Sequence, residues 1–394
     1  MESRGGVSQP SLGKVMVVGG TGFLGHHIVD LLVERYHTEA IFVVDLEIKR
    51  NRRPAKDGVQ YHKADITNLE NLLSAFKRTA PDVVIHTASP LPQVDTESTR
   101  ELYDKVNVRG TRCVIQACQA SGVKALVYTS SASVVSNHTS DVVNADEGQA
   151  RVRGKDQPEY YAESKAQAED FVILANRQHP FNLFTAVIRP SAIFGEGDQM
   201  ILPRLINIYR EGKAYIQIGR NENLFDFTYA YNVAHAHLLA AEALFKLSKQ
   251  GAIVTGDQSQ GPLPSVPDSK KVDGECFFIT NGSPVYFWDF ARSVWISAGF
   301  PYDPRRVWVL PLFIALMIGF LGELAAFLLN RPATLTRQRI TFSSMTRYYN
   351  ISKARERLGY EPLVPLNIAV QRSVRWYLDQ ERTVIEKSAE EMSE

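Results

Sequence analysis

The sequence predicts a protein of the α/β class, in which a doubly wound parallel sheet is followed by a smaller C-terminal domain. Two observations support this prediction. Short apolar, β-branched runs alternate with longer helical patterns through the first half of the chain, which is typical of a parallel sheet with helices on both faces. The first run also leads directly into a glycine-spaced turn and a helix, KVMVVGGTGFLGHHIVD at residues 14–30.

The elements follow one another in strand–helix order. The predicted strands are Val15–Val18, Ile41–Asp45, Val59–His62, Val83–Thr87, Ala125–Thr129 and Thr185–Ile188. The predicted helices between them are Phe23–Arg35, Leu69–Arg78, Glu101–Ala120 and Tyr160–Asn176. After about residue 190 the pattern loosens, and glycine and proline interrupt it.

This change in pattern suggests a division into domains. Residues 13–190 are predicted to bind a dinucleotide, and residues 226–245 to return to that domain. Residues 191–225 and 246–380 are predicted to form a substrate domain that includes an apolar segment at 307–329. Within it, the polar stretch 246–271 is expected to be a surface loop. The charged tail, residues 381–394, is expected to fray.

Composition excludes several classes of protein. The net charge of the 394 residues is +1, which argues against a nucleic-acid partner. Cys113, Cys118 and Cys276 have no metal-ligand spacing, so no metal site and no disulfide-rich compartment is expected. The N-terminal residues lack the apolar core of a signal peptide.

The glycine-spaced turn predicts a dinucleotide site of the Rossmann type. Gly19, Gly22 and Gly25 would permit the tight turn, the approach of the pyrophosphate to the backbone and the close packing of helix on strand. Phe23 and Leu24 would begin the helix, whose N-terminal amides attract phosphate.

Acidic residues after the next two strands extend this site. Asp45 ends the second strand, at the distance from the turn where a carboxylate binds the adenosine ribose. Asp65 and Ile66 follow the third strand and are expected beside the adenine. A carboxylate at Asp45 would repel a 2′-phosphate, so NAD is favoured. NADP remains an alternative because a basic cluster follows, formed by Lys49, Arg50, Arg52 and Arg53.

The segment YAESK predicts the catalytic residues. Tyr161 and Lys165 are four positions apart on a helix and therefore share a face. Ser131 lies just beyond the end of the fifth strand, at the edge where such sheets bind ligands. A nearby ammonium group and an oxidised nicotinamide would lower the tyrosine pKa, so that Tyr161 could remove a hydroxyl proton while hydride leaves the carbon.

The ordered motifs resemble a known family. GGTGFLG, HTAS, NVRGT, YTSSASVV, YAESK and RPSAIFGEGD are similar to those of the extended short-chain dehydrogenases/reductases, and within them to the 3β-hydroxysteroid dehydrogenase branch. Residues 274–295 and 335–366 resemble members of that branch that act on 4α-carboxysterols. The resemblance covers roughly residues 13–378.

The resemblance implies roles for single residues. Tyr161 would be the base, Lys165 its partner and a ligand of the nicotinamide ribose, and Ser131 the contact to the substrate hydroxyl. Asn107 would be structural or support a proton relay. Residues 226–237 would close the cleft, with His235 and His237 packing in a helix.

The implied reaction oxidises the 3β-hydroxyl of a 4α-carboxysterol to the 3-ketone with loss of CO₂, a step of sterol C-4 demethylation. Arg189 and Arg220 are candidates for binding the substrate carboxylate, although either could instead be structural or simply exposed. Two other activities stay open: a 3β-hydroxysteroid dehydrogenase/isomerase acting on other steroids, and a sugar-nucleotide epimerase or dehydratase. A non-enzymatic NAD-binding scaffold is disfavoured by the intact serine, tyrosine and lysine set.

The apolar segment at 307–329 has three interpretations: a buried helix, a helix that dips into one leaflet, and a transmembrane span. The second is favoured, because Arg305, Arg306 and Arg331 flank the segment and a sterol could enter the site from the bilayer. The expected location is the cytosolic face of the endoplasmic reticulum membrane, or a lipid droplet. Expected partners are the other enzymes of sterol C-4 demethylation and a second copy of the chain, paired through helices 101–120 and 160–176.

Overall fold

The computed structural model describes residues 10–255, 266–329 and 336–391. The strands are β1 (Lys14–Val18), β2 (Ala40–Asp45), β3 (Gln60–Lys63), β4 (Val83–His86), β5 (Ala125–Thr129), β6 (Val142–Ala145), β7 (Phe184–Pro190), β8 (Ile193–Phe194), β9 (Ile216–Ile218), β10 (Leu224–Phe225), β11 (Thr228–Tyr229), β12 (Glu275–Ile279), β13 (Val285–Tyr286), β14 (Trp308–Leu310) and β15 (Arg347–Tyr349).

The α-helices alternate with these strands through the first half of the chain. They are α1 (Phe23–Arg35), α2 (Leu69–Thr79), α3 (Glu97–Tyr103), α4 (Thr111–Ala120), α5 (Tyr160–Ala175), α6 (Ile201–Arg210), α7 (Ala230–Thr255), α8 (Phe287–Ser297), α9 (Leu312–Leu328), α10 (Arg337–Ser344), α11 (Ser352–Leu358) and α12 (Leu366–Glu391). The predicted helix at 101–120 is interrupted by a π-helical segment, Asp104–Gly110.

The main sheet has seven parallel strands in the order β12-β7-β5-β4-β1-β2-β3. The six predicted strands are confirmed. The seventh, Glu275–Ile279, pairs with β7, although the sequence places this segment in the substrate domain. The strand order reverses between β1 and β4, and ligands bind outside the carboxyl ends of strands at such a point.

Helices cover both faces of this sheet. Helices α1 and α7 share one apolar core with the sheet, while α2, α4 and α5 share the other. Helix α7, which begins within residues 226–245, packs against α1. The loop predicted at 246–271 is wrong in its first part, because α7 continues to Thr255. Residues 256–265 lie outside the described part of the chain.

The smaller part of the molecule is built around an aromatic core. Helices α6, α8 and α12 pack together, and the four-stranded sheet β13-β10-β15-β6 lies beside them. The prediction that the tail frays from residue 381 is wrong. Helix α12 runs to Glu391, and the Glu381 carboxylate accepts two hydrogen bonds from Arg210, at 2.8 and 2.6 Å. Residues 392–394 lie outside the described ranges.

The apolar segment forms strand β14 and then the 17-residue helix α9. Only Ala315 and Gly319 of α9 are buried, so the interpretation as a buried helix is wrong. Across residues 10–255, 266–329 and 336–391, no helix is both long and apolar enough to cross a membrane. Arg331, one of the predicted flanking residues, lies outside the described residues.

Candidate active site

The glycine turn connects β1 to α1 at the point where the strand order reverses. Gly19 has φ +86°, and its amide donates to the Val44 carbonyl at 2.8 Å. A Cβ atom on Gly25 would lie 2.0 Å from the Gly19 carbonyl oxygen. Only glycine therefore allows the helix to start this close to the strand.

The start of α1 fits a bound pyrophosphate. Gly22 is the N-cap and has no side chain with which to satisfy the amides of the first turn. These amides, which begin at Phe23 and Leu24, are donors at the positive end of the helix dipole. The residues present thus fit the phosphates of a dinucleotide cofactor.

The acidic residues lie beside this turn. One oxygen of Asp45 accepts hydrogen bonds from the amide and hydroxyl of Thr21, at 3.1 and 2.7 Å, so Asp45 closes the turn in the free protein. Asp65 accepts from the amide and hydroxyl of Thr67, both at 2.8 Å. The Ile66 side chain is buried. It packs so closely on Gly110 that a Cβ atom at that glycine would clash with it, and it therefore belongs to the core.

Two members of the basic cluster are engaged elsewhere. The Arg53 guanidinium binds Asp57 at 2.8 Å and Asp30 at 3.1 Å, and that of Arg52 lies 4.5 Å from the centre of the Tyr61 ring. These contacts draw both cations away from a cofactor 2′-phosphate and favour NAD.

Ser131 follows β5 at the carboxyl edge of the sheet. It is the N-cap of a short 3₁₀ segment, Ala132–Val135. Its hydroxyl lies 2.8 Å from the Ser133 hydroxyl and accepts from the Ser133 amide at 3.2 Å. The preceding hydroxyl, that of Ser130, is buried, so Ser131 is the half-buried serine of this pair.

Tyr161 lies in the first turn of α5. Its ring meets that of Tyr103 edge to face, with centroids 5.6 Å apart. Burial raises the pKa of Tyr161, the charges of Tyr103 and Glu159 raise it further, and a hydrogen bond with Ser89 lowers it. In the free protein the hydroxyl is therefore protonated at neutral pH.

Lys165 lies one turn further along α5 and is buried. Its ammonium group donates to the Thr129 carbonyl at 2.8 Å and lies 5.0 Å from the centre of the Tyr128 ring. Burial lowers the pKa of Lys165 to about 7. The expected lowering of the Tyr161 pKa by this ammonium is not seen, because the ammonium points to the backbone at the end of β5.

Asn107 lies in the π-helical segment and joins three elements. Its side-chain oxygen accepts from Ser89 at 2.9 Å, and its amide donates to Ser164 at 3.0 Å. The Ser164 hydroxyl in turn donates to the Tyr161 carbonyl at 2.7 Å. π-Helical turns are frequent at functional sites, and this one places Asn107 directly behind the first turn of α5.

The two arginines offered as carboxylate ligands have different surroundings. Arg189 is buried and makes two hydrogen bonds to Glu169, at 2.9 and 2.7 Å. Of the two alternatives for Arg189, the structural one fits, because its charge neutralises a buried carboxylate. Arg220 is exposed, between β9 and β10.

A group of metal-ligand type lies in α1, formed by His26, His27 and Asp30. His26 and His27 each hydrogen-bond a backbone carbonyl, at 3.0 and 2.9 Å, and Asp30 binds Arg53. Each of the three side chains thus already binds a protein group through one of its atoms, and we assign no metal to them. The helix-packing prediction for His237 fits its bonds to Thr129 and to the carbonyl one turn earlier, at 2.7 and 2.8 Å.

Two residues beside Tyr161, Ser89 and Tyr103, were not predicted from the sequence. Ser89 belongs to the HTAS motif and could have been found as a polar residue just beyond β4. Tyr103 carries no signal of its own, because its role depends on how α3 and α5 pack.

Comparison with known proteins is consistent with this geometry. The model of the 3-beta hydroxysteroid dehydrogenase/isomerase family matches residues 16–312. A Saccharomyces cerevisiae protein named sterol-4-alpha-carboxylate 3-dehydrogenase ERG26, decarboxylating, is 36% identical over 92% of this chain and 97% of its own. The human protein named sterol-4-alpha-carboxylate 3-dehydrogenase, decarboxylating, is 31% identical over 94% and 89%.

Solved structures show the same fold at lower identity. Bordetella bronchiseptica WbmH in complex with NAD⁺ has a TM-score of 0.64 at 17% identity, covering 93% of this chain and 98% of its own. Thermotoga maritima UDP-glucose 4-epimerase has a TM-score of 0.64 at 19% identity, covering 93% and 99%. The family match and the whole-length relatives together show that the chain belongs to the 3-beta hydroxysteroid dehydrogenase/isomerase family.

Proposed function

We propose that the protein is an NAD-dependent oxidoreductase that converts the 3β-hydroxyl of a 4α-carboxysterol to the 3-ketone with loss of CO₂. The observation that carries this proposal is the match, over more than nine tenths of the chain, to relatives named for that activity. The serine, tyrosine and lysine at the carboxyl edge of β5 support it, since they provide the groups that oxidation of an alcohol requires.

When bound, NAD would accept the hydride. The amides at the start of α1 would hold its pyrophosphate, and Asp45 its adenosine ribose, with Asp65 near the adenine. Lys165 would leave the Thr129 carbonyl to bind the nicotinamide ribose.

Tyr161 would act as the base for the substrate hydroxyl. Its pKa is raised in the free protein, so the phenolate needs nearby positive charge. Lys165, on the same face of α5, would supply part of that charge once its ammonium turned from the backbone towards Tyr161. Ser131 would hydrogen-bond the substrate oxygen and fix its position.

Loss of CO₂ would follow from the product of this oxidation. A carboxylate on the carbon next to a ketone leaves readily, because the carbonyl accepts the electrons of the breaking bond. The hydroxyls of Ser131 and Tyr161 would donate hydrogen bonds to the oxygen on which negative charge develops.

We propose that the protein lies at the cytosolic leaflet of the endoplasmic reticulum membrane, or at the surface of a lipid droplet. Phe313, Met317 and Leu321 lie on one face of α9 and are 66, 61 and 57% exposed. Such a surface suits the apolar interior of a single leaflet, and Arg305 and Arg306 at its start suit lipid headgroups. The other enzymes of sterol C-4 demethylation would be neighbours on the same membrane.

The test is turnover by the purified protein with NAD or NADP and three substrates in turn. We expect cofactor reduction and CO₂ release with a 4α-carboxysterol, and faster reduction of NAD than of NADP. Tyr161→Phe should reduce the rate by at least about 100-fold while leaving NAD binding intact. Reduction with a plain 3β-hydroxysteroid alone would favour the general dehydrogenase, and activity with a nucleotide sugar alone would refute the sterol proposal.

A further inference from the structure

Arg347, in strand β15, is a buried cation that lacks an ion pair. The residue is 6% exposed, and its Nε donates to the Tyr349 hydroxyl at 2.9 Å. Within the described parts of the chain, no carboxylate lies within ion-pair distance of it, and its other two guanidinium nitrogens hydrogen-bond no protein group. Buried charges in proteins are ordinarily paired, as Arg189 is with Glu169. Arg347 is therefore suited to an anion from outside the chain.

Two hydrogen bonds connect this guanidinium to the segment that carries Ser131. The Tyr349 hydroxyl accepts from Arg347 and itself donates to the Ala132 carbonyl at 3.3 Å. Ala132 directly follows Ser131, the serine that we assign to the substrate hydroxyl. The guanidinium thus lies beside the carboxyl end of β5.

Helix α10 connects the same guanidinium to the start of α5. The Gln338 amide donates to the Glu159 carboxylate at 2.6 Å, and Glu159 is two residues before Tyr161. Phe342 is one turn further along α10 and shares a face with Gln338. The ring of Phe342 lies 5.7 Å from the Arg347 guanidinium. One face of α10 therefore contacts both the residue before α5 and Arg347.

The proposed substrate has an anion at a matching place. Its carboxylate is on C4, which is bonded to C3, the carbon whose oxygen contacts Ser131 and Tyr161. A group that binds this carboxylate has to lie beside both residues. A guanidinium can hydrogen-bond the two oxygens of one carboxylate at the same time.

We propose that Arg347 binds the 4α-carboxylate of the substrate and selects carboxysterols over sterols that lack this group. The proposal rests on the proposed function, because that reaction supplies the carboxylate. Once CO₂ has left, the ketone carries no charge for Arg347 to bind. The contact therefore favours binding of the substrate over binding of the product.

The experiment uses Arg347→Gln in the full-length protein, since glutamine keeps a polar side chain and removes the charge. Three quantities are measured with NAD: kcat/KM for a 4α-carboxysterol, kcat/KM for the same 3β-hydroxysterol without its carboxyl group, and the inhibition constant of the 3-ketone product. The third quantity reports binding of an uncharged sterol even where the second substrate reacts slowly.

We expect Arg347→Gln to lower kcat/KM for the carboxysterol by about 100-fold, because the carboxylate would lose a buried, charged hydrogen-bond partner. The other two quantities should change by no more than about twofold. Arg347→Lys keeps the charge but not the planar pair of donors, so it should lose about tenfold, again with the carboxysterol alone.

Arg292→Gln is the matched control. The Arg292 Nε also donates to a tyrosine hydroxyl, that of Tyr302 at 2.7 Å. Its guanidinium, however, already has an ion pair with Asp289 at 2.7 Å. This variant should leave all three quantities as they are in the wild type.

Equal losses with both sterols and weaker inhibition by the ketone in Arg347→Gln would overturn the proposal, since Arg347 would then only support the fold. An unchanged kcat/KM for the carboxysterol would overturn it too. Calorimetry with NAD shows whether Arg347→Gln is folded, and if it is not, the same comparison in Arg347→Lys decides. A wild type that oxidises the plain sterol but not the carboxysterol would instead refute the proposed function.

Discussion

At the scale of single residues, burial determines the protonation of Lys165. The side chain is 2% exposed, and burial lowers its pKa to about 7, opposed only in part by the Glu169 charge. Its charge also lowers the pKa values of His86 and His237, which burial holds at about 3 and 4. An amine with this pKa is partly neutral near physiological pH, which reduces the cost of burying it among these rings.

This leads to a prediction for stability against pH. In the unfolded chain a lysine titrates near pH 10.4, so between pH 7 and that value the unfolded state binds more protons and stability rises with pH. Below pH 7 the wild type bears the full cost of a buried ammonium, on the order of several kcal/mol. Lys165→Met should therefore raise the melting temperature by several degrees at pH 6, and by less at pH 9.

The measurement is thermal unfolding of the protein without cofactor at the two pH values. Lys155→Met, at an exposed position, is the control and should change little at either pH. An equal effect of Lys165→Met at pH 6 and pH 9 would show that the amine has an ordinary pKa.

Gly25 gives a second prediction at the residue scale. A Cβ at this position would lie 2.0 Å from the Gly19 oxygen and 2.7 Å from Gly20 Cα. Gly25→Ala must push α1 away from β1 and should weaken NAD binding by at least about tenfold, as measured by calorimetry. Gly148→Ala, whose Cβ would approach only the Asp146 side chain, should bind NAD normally. Wild-type affinity in Gly25→Ala would contradict the assignment of the turn.

At the scale of elements, helix α9 differs from the helices that cover the sheet. Helices such as α2 bury one apolar face and expose a polar one. Helix α9 is apolar on nearly all sides, and only two of its residues are buried. The Glu323 carboxylate within it binds Arg337 at 2.7 Å. The charge that interrupts the apolar segment is thus neutralised by α10.

We predict that α9 carries the affinity for membranes. Replacing Phe313, Met317 and Leu321 together by asparagine should remove binding to phospholipid vesicles in a flotation assay, because these side chains provide the exposed apolar face. Activity on a sterol dispersed in detergent should be retained.

The control for α9 is a triple variant with asparagine at Val143, Val384 and Ile385. These side chains are exposed to a similar degree but lie outside α9. The control should float with vesicles as the wild type does. Unchanged flotation of the α9 variant would contradict the membrane proposal.

At the scale of the whole molecule, the family resemblance leads us to propose a homodimer through the layer that contains α4 and α5. These helices pack side by side, and Leu174 of α5 is 72% exposed. Leu174→Arg should halve the molar mass measured by light scattering, because a charge would be buried in the pairing face. The test is made in the α9 triple variant, so that apolar association through α9 does not contribute.

Val384→Arg, an equally drastic change at an exposed residue of α12, should leave the mass unchanged. A parent α9 variant that already has the 44.2 kDa mass of one chain would contradict the dimer.

The strand–helix alternation, the glycine turn and the shared face of Tyr161 and Lys165 could all be predicted from the amino-acid sequence. These depend on local periodicity and backbone geometry, which neighbouring residues dictate. The sequence predicted residues 246–255 less well: Ser248, Gly251 and the polar residues that follow suggest a loop, yet the segment continues α7.

The contacts between distant residues became known from the fold. It brought Glu275–Ile279 into the main sheet, paired Arg189 with Glu169 and joined Glu159 to Gln338. It also left α9 exposed. Burial and charge neutralisation depend on contacts between segments far apart in the chain, so no local pattern records which arginine is paired in the core or which apolar helix is left exposed.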